Sequence, residues 1–204
     1  MYGKALLTLI LVLSLQCEST GERERPMSPM SGNPEHMYGK YLVRINQYTT
    51  KGSYYHKKYY RQLLEVAHAF NADRSLRIVE RSIGFYHDKK RKDDTKLYMG
   101  IDFSFDNSDV EGRGYGERIS NLLTKQLPAI LPVLMSQKEI HSEKEIAGIV
   151  VSMRWKQGWS SEHFNFWLLS DEARLYEKNR LTLKELIQRN TITDMNGNII
   201  RLTR

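Results

Sequence analysis

The sequence holds a single cysteine, Cys17, among its 204 residues. A disulfide within one copy of the chain is therefore excluded, and so is a metal site built from several thiolates. The six histidines include no His-Glu-x-x-His pair of the kind that binds catalytic zinc. A calcium loop counted from Asp106 would place Val110 and Glu111 where an oxygen ligand and a glycine are needed. The sequence therefore predicts no metal, no other cofactor and no identifiable catalytic residue.

A hydrophobic run long enough to cross a membrane is also missing. The longest apolar stretch, 5–15, has eleven residues and follows the positive charge of Lys4. As a helix it would reach about 16 Å, roughly half of a ~30 Å hydrocarbon core. Such a length is typical of the apolar region of a signal peptide.

The apolar stretch ends at Leu13-Ser14-Leu15-Gln16-Cys17. This segment resembles a bacterial lipoprotein signal, although Gln16 stands where that pattern usually has a small residue. The resemblance implies that residues 1–16 are removed, that Cys17 receives acyl chains such as palmitate, and that the protein is anchored in a membrane of the cell envelope. Glu18, in place of the aspartate that retains lipoproteins at the inner membrane, favours the outer membrane. Two alternatives are an ordinary cleaved signal peptide and an uncleaved apolar segment.

Residues 17–35 follow with three prolines, two glycines and many charges. Such a composition cannot bury a core, so the stretch is predicted to be a flexible tether. The remaining residues, 36–204, are predicted to form one domain. The whole chain has a net charge of +7. Residues 1–16 contribute the positive charge of Lys4, and residues 17–35 have two more acids than bases, so the net charge of the predicted domain is about +8. A basic domain is attracted to anionic polymers and membranes.

The pattern of apolar residues predicts an α+β fold, with an antiparallel sheet of paired strands and helices packed mainly on one face. Helices are predicted over 54–71 and 115–126, with a further short helix starting at Pro132. Another helical region covers 172–190, where Thr182 caps a second piece, and Asn196-Gly197 predicts a hairpin turn. Strands are predicted over 41–48, 76–86 (with a break near Ser82), 96–106, 146–155, 163–169 and 199–202.

Two groups of residues could carry chemistry. Gly112, Gly114 and Gly116 precede a predicted helix and could hold a phosphate with backbone amides, but the third glycine of a dinucleotide fingerprint is replaced by Glu117. Asp102 and His163 are the candidates for acid-base chemistry, and the simpler interpretation of each is a polar residue on a strand or beside a turn.

Basic and aromatic residues alternate in two places, and such surfaces can stack on sugar rings or bases and neutralise anions. The candidate anion- or polymer-binding residues are Lys57, Lys58, Arg61, Lys89, Lys90, Arg91 and Lys92.

Three hypotheses for function remain. The first is a lipid-anchored, non-enzymatic module that binds an envelope protein or an anionic polymer. The second is an exported hydrolase that uses Asp102 or His163 near the glycine loop. The third is a basic cytosolic protein started at Met37, which would bind nucleic acid; export argues against this partner.

Overall fold

A computed structural model describes residues 32–72, 75–87 and 96–202. The predicted signal peptide, the acylation site Cys17, most of the tether and the basic residues 89–92 lie outside the described residues. The first helix begins at Pro34, behind an N-cap made by the Asn33 side chain, two residues before the predicted start of the domain.

Helices and a six-stranded sheet confirm the predicted α+β class. Within the described residues the α-helices are α1 Pro34–Tyr38, α2 Thr50–Lys58, α3 Tyr60–Ala72, α4 Tyr115–Met135, α5 Lys138–His141, α6 Ser170–Glu177 and α7 Leu183–Arg189. Short 3₁₀ turns cover Gly39–Tyr41, Ile45–Gln47 and Asn107–Asp109. The strands are β1 Arg77–Ile78, β2 Gly84–Tyr86, β3 Leu97–Phe105, β4 Ile146–Gln157, β5 Ser160–Leu169 and β6 Thr191–Asp194.

The sheet is mixed, and this differs from the predicted all-antiparallel arrangement. Its order is β1-β3-β4-β5-β6, with β2 also paired to β3. All pairs are antiparallel except β3 and β4, which run parallel. A parallel pair needs a long crossover, and the connection through α4 and α5 supplies it. The prediction that helices lie mainly on one face of the sheet stays a prediction.

The core lies against one set of alternating strand residues. In β3 these are Leu97, Met99, Ile101, Phe103 and Phe105, all of which are buried, as the alternation predicted. They join one apolar cluster with residues of α3 and α4, such as Phe70 and Leu123. The Phe70 and Phe103 rings meet edge to face with centroids 5.1 Å apart. This packing fixes which strand residues point away from the core, because side chains alternate along a strand.

The predicted strand over 41–48 is wrong. The segment contains two 3₁₀ turns, and only Leu42 makes an isolated bridge, to Ile83. Leu42 and Val43 are buried beside Ile83 and Gly84 without forming a ladder, whereas Ile45 is exposed. The hydroxyl of Tyr48 lies so close to Gly84 that a Cβ there would approach it to 1.8 Å. The predicted strand over 76–86 also divides, at the break expected near Ser82, into β1 and β2.

Helix α4 is longer than predicted, because it continues through Pro128 and Pro132 instead of breaking. Each internal proline removes a backbone hydrogen bond and costs about 3 kcal/mol. Buried apolar residues nevertheless continue at helical spacing at Leu127, Ile130, Leu131 and Leu134. Each contributes about 1.5–3 kcal/mol when fully buried. Together these residues offset the prolines, both of which face solvent.

The predicted strand over 199–202 is wrong, because only Ile199 makes an isolated bridge, to Thr193. The other predicted elements are confirmed with shifted ends. The predicted helix over 54–71 is two helices, α2 and α3, separated at Tyr59. β4 and β5 form the expected hairpin. Thr182 caps α7 in a reciprocal capping box with Glu185. Gly197, with φ +73°, occupies the predicted turn after β6.

Candidate ligand-binding cleft

A row of polar side chains crosses four strands on the sheet face opposite the core. The strand register places Asp102 of β3 beside Ser152 of β4, Ser152 beside Asn165 of β5, and Asn165 beside Thr193 of β6. Each is a neighbour of a core-facing residue, so alternation points all of them to the same side. Polar residues in the middle of a sheet need partners, and most of this row supplies its own.

The hydrogen bonds of this row run from β4 to β6. Ser152 Oγ donates to Asn165 Oδ1 at 2.6 Å. Asn165 Nδ2 donates to Thr193 Oγ1 at 3.4 Å, and Trp167 Nε1 donates to the same hydroxyl at 3.1 Å. The three β5 and β6 side chains are therefore held in place by one another. A fixed polar floor is the first requirement of a specific binding site.

An ion pair lies at the β3 end of the row. Arg154, two residues along β4 from Ser152, donates its Nη2 hydrogen to Asp102 Oδ2. Asp102 is 8% exposed, whereas the Arg154 side chain is 42% exposed. Burial lowers the pKa of Arg154. The pair thus consists of a carboxylate that is buried and a guanidinium that is still partly exposed to water.

Three polar atoms around this pair are buried without a hydrogen-bond partner in the part of the chain that the structure describes. They are Asp102 Oδ1, Arg154 Nε and His87 Nδ1. The other His87 nitrogen, Nε2, lies 2.9 Å from Thr49 Oγ1. A buried polar atom left unpaired costs about 1–3 kcal/mol. Unsatisfied atoms clustered in one place are therefore a mark of a site where an additional group is accommodated.

The cleft above the ion pair has a volume of about 360 Å³. Two half-buried aromatic residues, Tyr86 and Trp167, contribute to its lining together with the 79–82 turn. The Tyr86 hydroxyl donates to the Ser82 carbonyl at 2.6 Å, and its ring lies against Gly100, where an added Cβ would come within 2.3 Å of it. Burial raises the pKa of Tyr86 well above its usual range. Both aromatic rings thus have their polar ends bonded to the protein.

His163 lies on the same sheet face, opposite Arg154 in the β4–β5 register. Burial lowers the pKa of its imidazole, and the Arg154 charge acts in the same direction. The glycine loop contacts β5 from the core side instead: the Tyr115 hydroxyl donates to the His163 carbonyl, and the Tyr115 ring packs on Trp155. The structure therefore brings Asp102 and His163 to one face and separates their side chains from the glycine loop by the sheet.

The glycine loop begins α4, and a neighbouring carboxylate already accepts a hydrogen bond from one of its backbone N–H groups. The backbone N–H of Arg113 donates to Glu117 Oε2 at 2.9 Å. Arg118 Nη2 donates to both carboxylate oxygens of Glu162, at 2.9 and 3.1 Å. A carboxylate of the chain itself thus takes the place at the helix N-terminus that a phosphate would need.

The predicted basic-aromatic surface on α2 and α3 is in large part a packing contact. Tyr55 and Tyr59 are buried, and their hydroxyls donate to Glu145 and Glu143. Lys58 pairs with Glu143, and its hydrogen bond holds the pKa of that carboxyl below its usual range.

Of the remaining candidates, Arg61 pairs with Glu65 at 3.3 Å and Lys57 is exposed. Polymer binding through these residues stays a prediction, and Lys89, Lys90, Arg91 and Lys92 lie outside the described residues.

A shallower depression of about 210 Å³ lies beside α4, and its lining residue Asn121 already donates to the Glu111 carbonyl. Across residues 32–72, 75–87 and 96–202, no cluster of three acidic, histidine or cysteine residues could hold a metal ion. The same ranges contain no helix with the length and apolar character needed to cross a bilayer.

Sequence reasoning did not identify Arg154, Ser152, Asn165 or Trp167 as site residues. One signal was available in the sequence. In three predicted strands, polar residues occupy positions that alternate with the core-facing residues, and such polar residues are unusual in strands at the centre of a sheet. Comparison with protein-family models, with curated proteins and with solved structures gave no match to this chain.

Proposed function

We propose that this chain is a lipid-anchored lipoprotein of a bacterial cell envelope, preferably of the outer membrane, whose folded domain binds a small polar ligand in the cleft over Asp102 and Arg154. The anchoring half of the proposal rests on the signal-like segment that ends at Cys17. The binding half rests on one observation: beneath a cleft, Asp102 Oδ1 and Arg154 Nε are buried and have no hydrogen-bond partner among the described residues.

A binding role accounts for features that stability alone does not. A buried ion pair with incomplete hydrogen bonds is no more stabilising than well-packed apolar residues of the same volume. The pair lies at the centre of the sheet, where Ser152 and Asn165 fix the floor beside it. Polar groups on a fixed floor beside two aromatic side chains are the usual composition of a small-molecule site.

Anchoring is tested by the intact mass of the full chain extracted from membranes, beside a Cys17→Ser variant. A mature chain that begins at Cys17 with added acyl mass, lost in the variant, supports the anchor. An unacylated chain that begins elsewhere contradicts it, and a chain that begins at Met37 would point to the cytosol.

Ligand binding is tested by the thermal unfolding of full-length Cys17→Ser protein in the small-molecule fraction of an envelope hydrolysate. A ligand present at 100 times its Kd stabilises the native state by about 2.7 kcal/mol. We expect the midpoint to rise in this protein and in an Arg113→Met control, whose substitution lies at the exposed start of α4. We expect no rise in the double variant Asp102→Asn/Arg154→Met. An equal rise in the double variant, or no rise at all, would refute the cleft as a binding site.

A further inference from the structure

We infer that the ligand of the cleft is a saccharide, bound as a single uncharged sugar unit. The inference rests on the proposed binding function and specifies its ligand class. It is carried by three properties of the cleft: its balance of charge, the kind of polar atoms left unpaired, and the carbon surface of its aromatic side chains.

The charges that line the cleft balance. Asp102 and Arg154 form its floor, and the exposed residues Glu80 and Arg81 stand at its edge. A ligand anion would meet the Asp102 carboxylate beside the guanidinium, and a ligand cation would meet the guanidinium beside the carboxylate. Because each charge of the pair already has an opposite partner, a charged ligand group would gain little electrostatic attraction, and its own desolvation would weaken binding. An uncharged ligand avoids this cost.

The unpaired atoms need a donor and an acceptor from the same small region. Asp102 Oδ1 only accepts hydrogen bonds, and Arg154 Nε only donates them. Neighbouring hydroxyl groups can do both, because each hydroxyl donates and accepts. A trans peptide group directs its N–H and C=O to opposite sides, so one peptide unit cannot serve both atoms of one ion pair. Hydroxyl groups on adjacent ring carbons therefore fit this pair better than a peptide does.

Access to these atoms comes through Arg154. Asp102 Oδ1 and Arg154 Nε are covered by protein atoms. A ligand reaches them only if the Arg154 guanidinium turns outward, and this side chain, which is 42% exposed, has solvent beside it into which to move. A sugar hydroxyl then takes the place of the guanidinium beside the Asp102 carboxylate. Binding thus replaces the direct contact between Asp102 and Arg154 with a contact bridged by the hydroxyl.

The aromatic residues complement the apolar faces of a sugar ring. Trp167 has its indole N–H bonded to Thr193, and Tyr86 has its hydroxyl bonded to Ser82. The surface that these two residues contribute to the cleft is therefore the carbon surface of their rings. The volume of about 360 Å³ lies near the lower end of the ~300–1,000 Å³ typical of ligand sites, which suits one sugar unit.

The test is saturation-transfer NMR on the full-length Cys17→Ser protein with a panel of defined probes. The neutral sugars are glucose, galactose, mannose and N-acetylglucosamine. The other probes are glucuronate, inorganic phosphate and N-acetyl-alanyl-alanine amide. We expect transfer to at least one neutral sugar, and binding of glucuronate about tenfold weaker than that of glucose or weaker still.

The variants tie this binding to the cleft. In Asp102→Asn/Arg154→Met we expect the sugar affinity to fall about tenfold or more, since two hydrogen bonds to charged groups are lost. Arg113→Met should bind as the parent does. An unchanged affinity in the double variant would overturn the inference, even if a sugar binds.

The remaining outcomes separate the ligand class from the proposed function. If no neutral sugar binds while the dipeptide or phosphate does, and this binding is lost in the double variant, the saccharide is wrong and the cleft remains a binding site. If no probe binds and the envelope hydrolysate also leaves the unfolding midpoint unchanged, both proposals fail.

Discussion

Replacing Arg154 with methionine leaves the Asp102 carboxylate buried beside an apolar side chain of similar length. Removal of one partner of a buried ion pair costs about 3–5 kcal/mol, because the other charge loses its compensation. The Asp102 side chain is 12% exposed and that of Arg154 is 42% exposed, so water screens part of the interaction. We therefore expect a loss near the lower bound, about 3 kcal/mol at pH 7.

The two further variants complete a double-mutant cycle. Asp102→Asn leaves Arg154 without its carboxylate, but this cation reaches water, so we expect a loss of only about 1 kcal/mol. The double variant removes both charges and should lie within about 1 kcal/mol of the parent. The coupling free energy between the two residues is then at least about 3 kcal/mol.

Urea unfolding of full-length Cys17→Ser protein measures these differences. With a slope of about 2 kcal/mol per molar urea, Arg154→Met should lower the midpoint by about 1.5 M. The loss should shrink as the pH is lowered, because an unpaired buried carboxylate has a raised pKa and takes up a proton. The exposed Arg113→Met is the matched control. A loss below 1 kcal/mol in Arg154→Met, or a coupling below about 0.5 kcal/mol, would refute the buried-pair reasoning.

Three other substitutions test the packing described above, each by urea unfolding. Gly148→Ala places a Cβ 1.9 Å from a carbonyl oxygen of β5 and should lower the free energy of unfolding by about 2 kcal/mol or more. Its control is Gly114→Ala, whose Cβ meets nothing within 4 Å and which should lower the free energy of unfolding by less than about 1 kcal/mol. Pro128→Ala should stabilise the protein by about 1–3 kcal/mol, because Pro128 is exposed inside α4; a lower midpoint would show that the proline is accommodated without cost. Burial lowers the pKa of His141 in the folded protein, so as the pH falls this imidazole is protonated in the unfolded state before it is protonated in the folded state. The free energy of unfolding should therefore decrease as the pH drops below about 6.5, by up to about 1.4 kcal/mol per pH unit. His141→Gln should flatten that decline and exposed His36→Gln should not; equal slopes would contradict the assignment.

The parts of the fold that could be predicted are those with local signals. The alternation from Leu97 to Phe105 identified β3, because the residues that face the core recur at every second position of a strand. Thr182 marked the start of α7, because a threonine hydroxyl can cap the first turn of a helix. Asn196-Gly197 marked the turn after β6, since Gly197 takes a positive φ. Each signal acts within a few residues and needs no knowledge of the rest of the chain.

The parts that could not be predicted depend on contacts between distant residues. The continuation of α4 through Pro128 and Pro132 is decided by burial against the sheet, which outweighs the local preference to end the helix. The parallel pairing of β3 and β4 is decided by the path of that crossover. The Asp102–Arg154 pair joins residues on these two strands, so the cleft could not be located until their pairing was known.

The parallel β3–β4 ladder also has a consequence for the order of folding. Strands β4, β5 and β6 follow one another as antiparallel neighbours, and their paired residues are at most 30 positions apart, as Phe164 and Asp194 are. The β3–β4 pairs, such as Asp102 with Ser152, join positions about 50 residues apart. Closing such a loop costs more chain entropy and slows folding. We therefore expect the C-terminal meander to form first and the central ladder to close late, so the two halves of the cleft meet only as the whole sheet is completed.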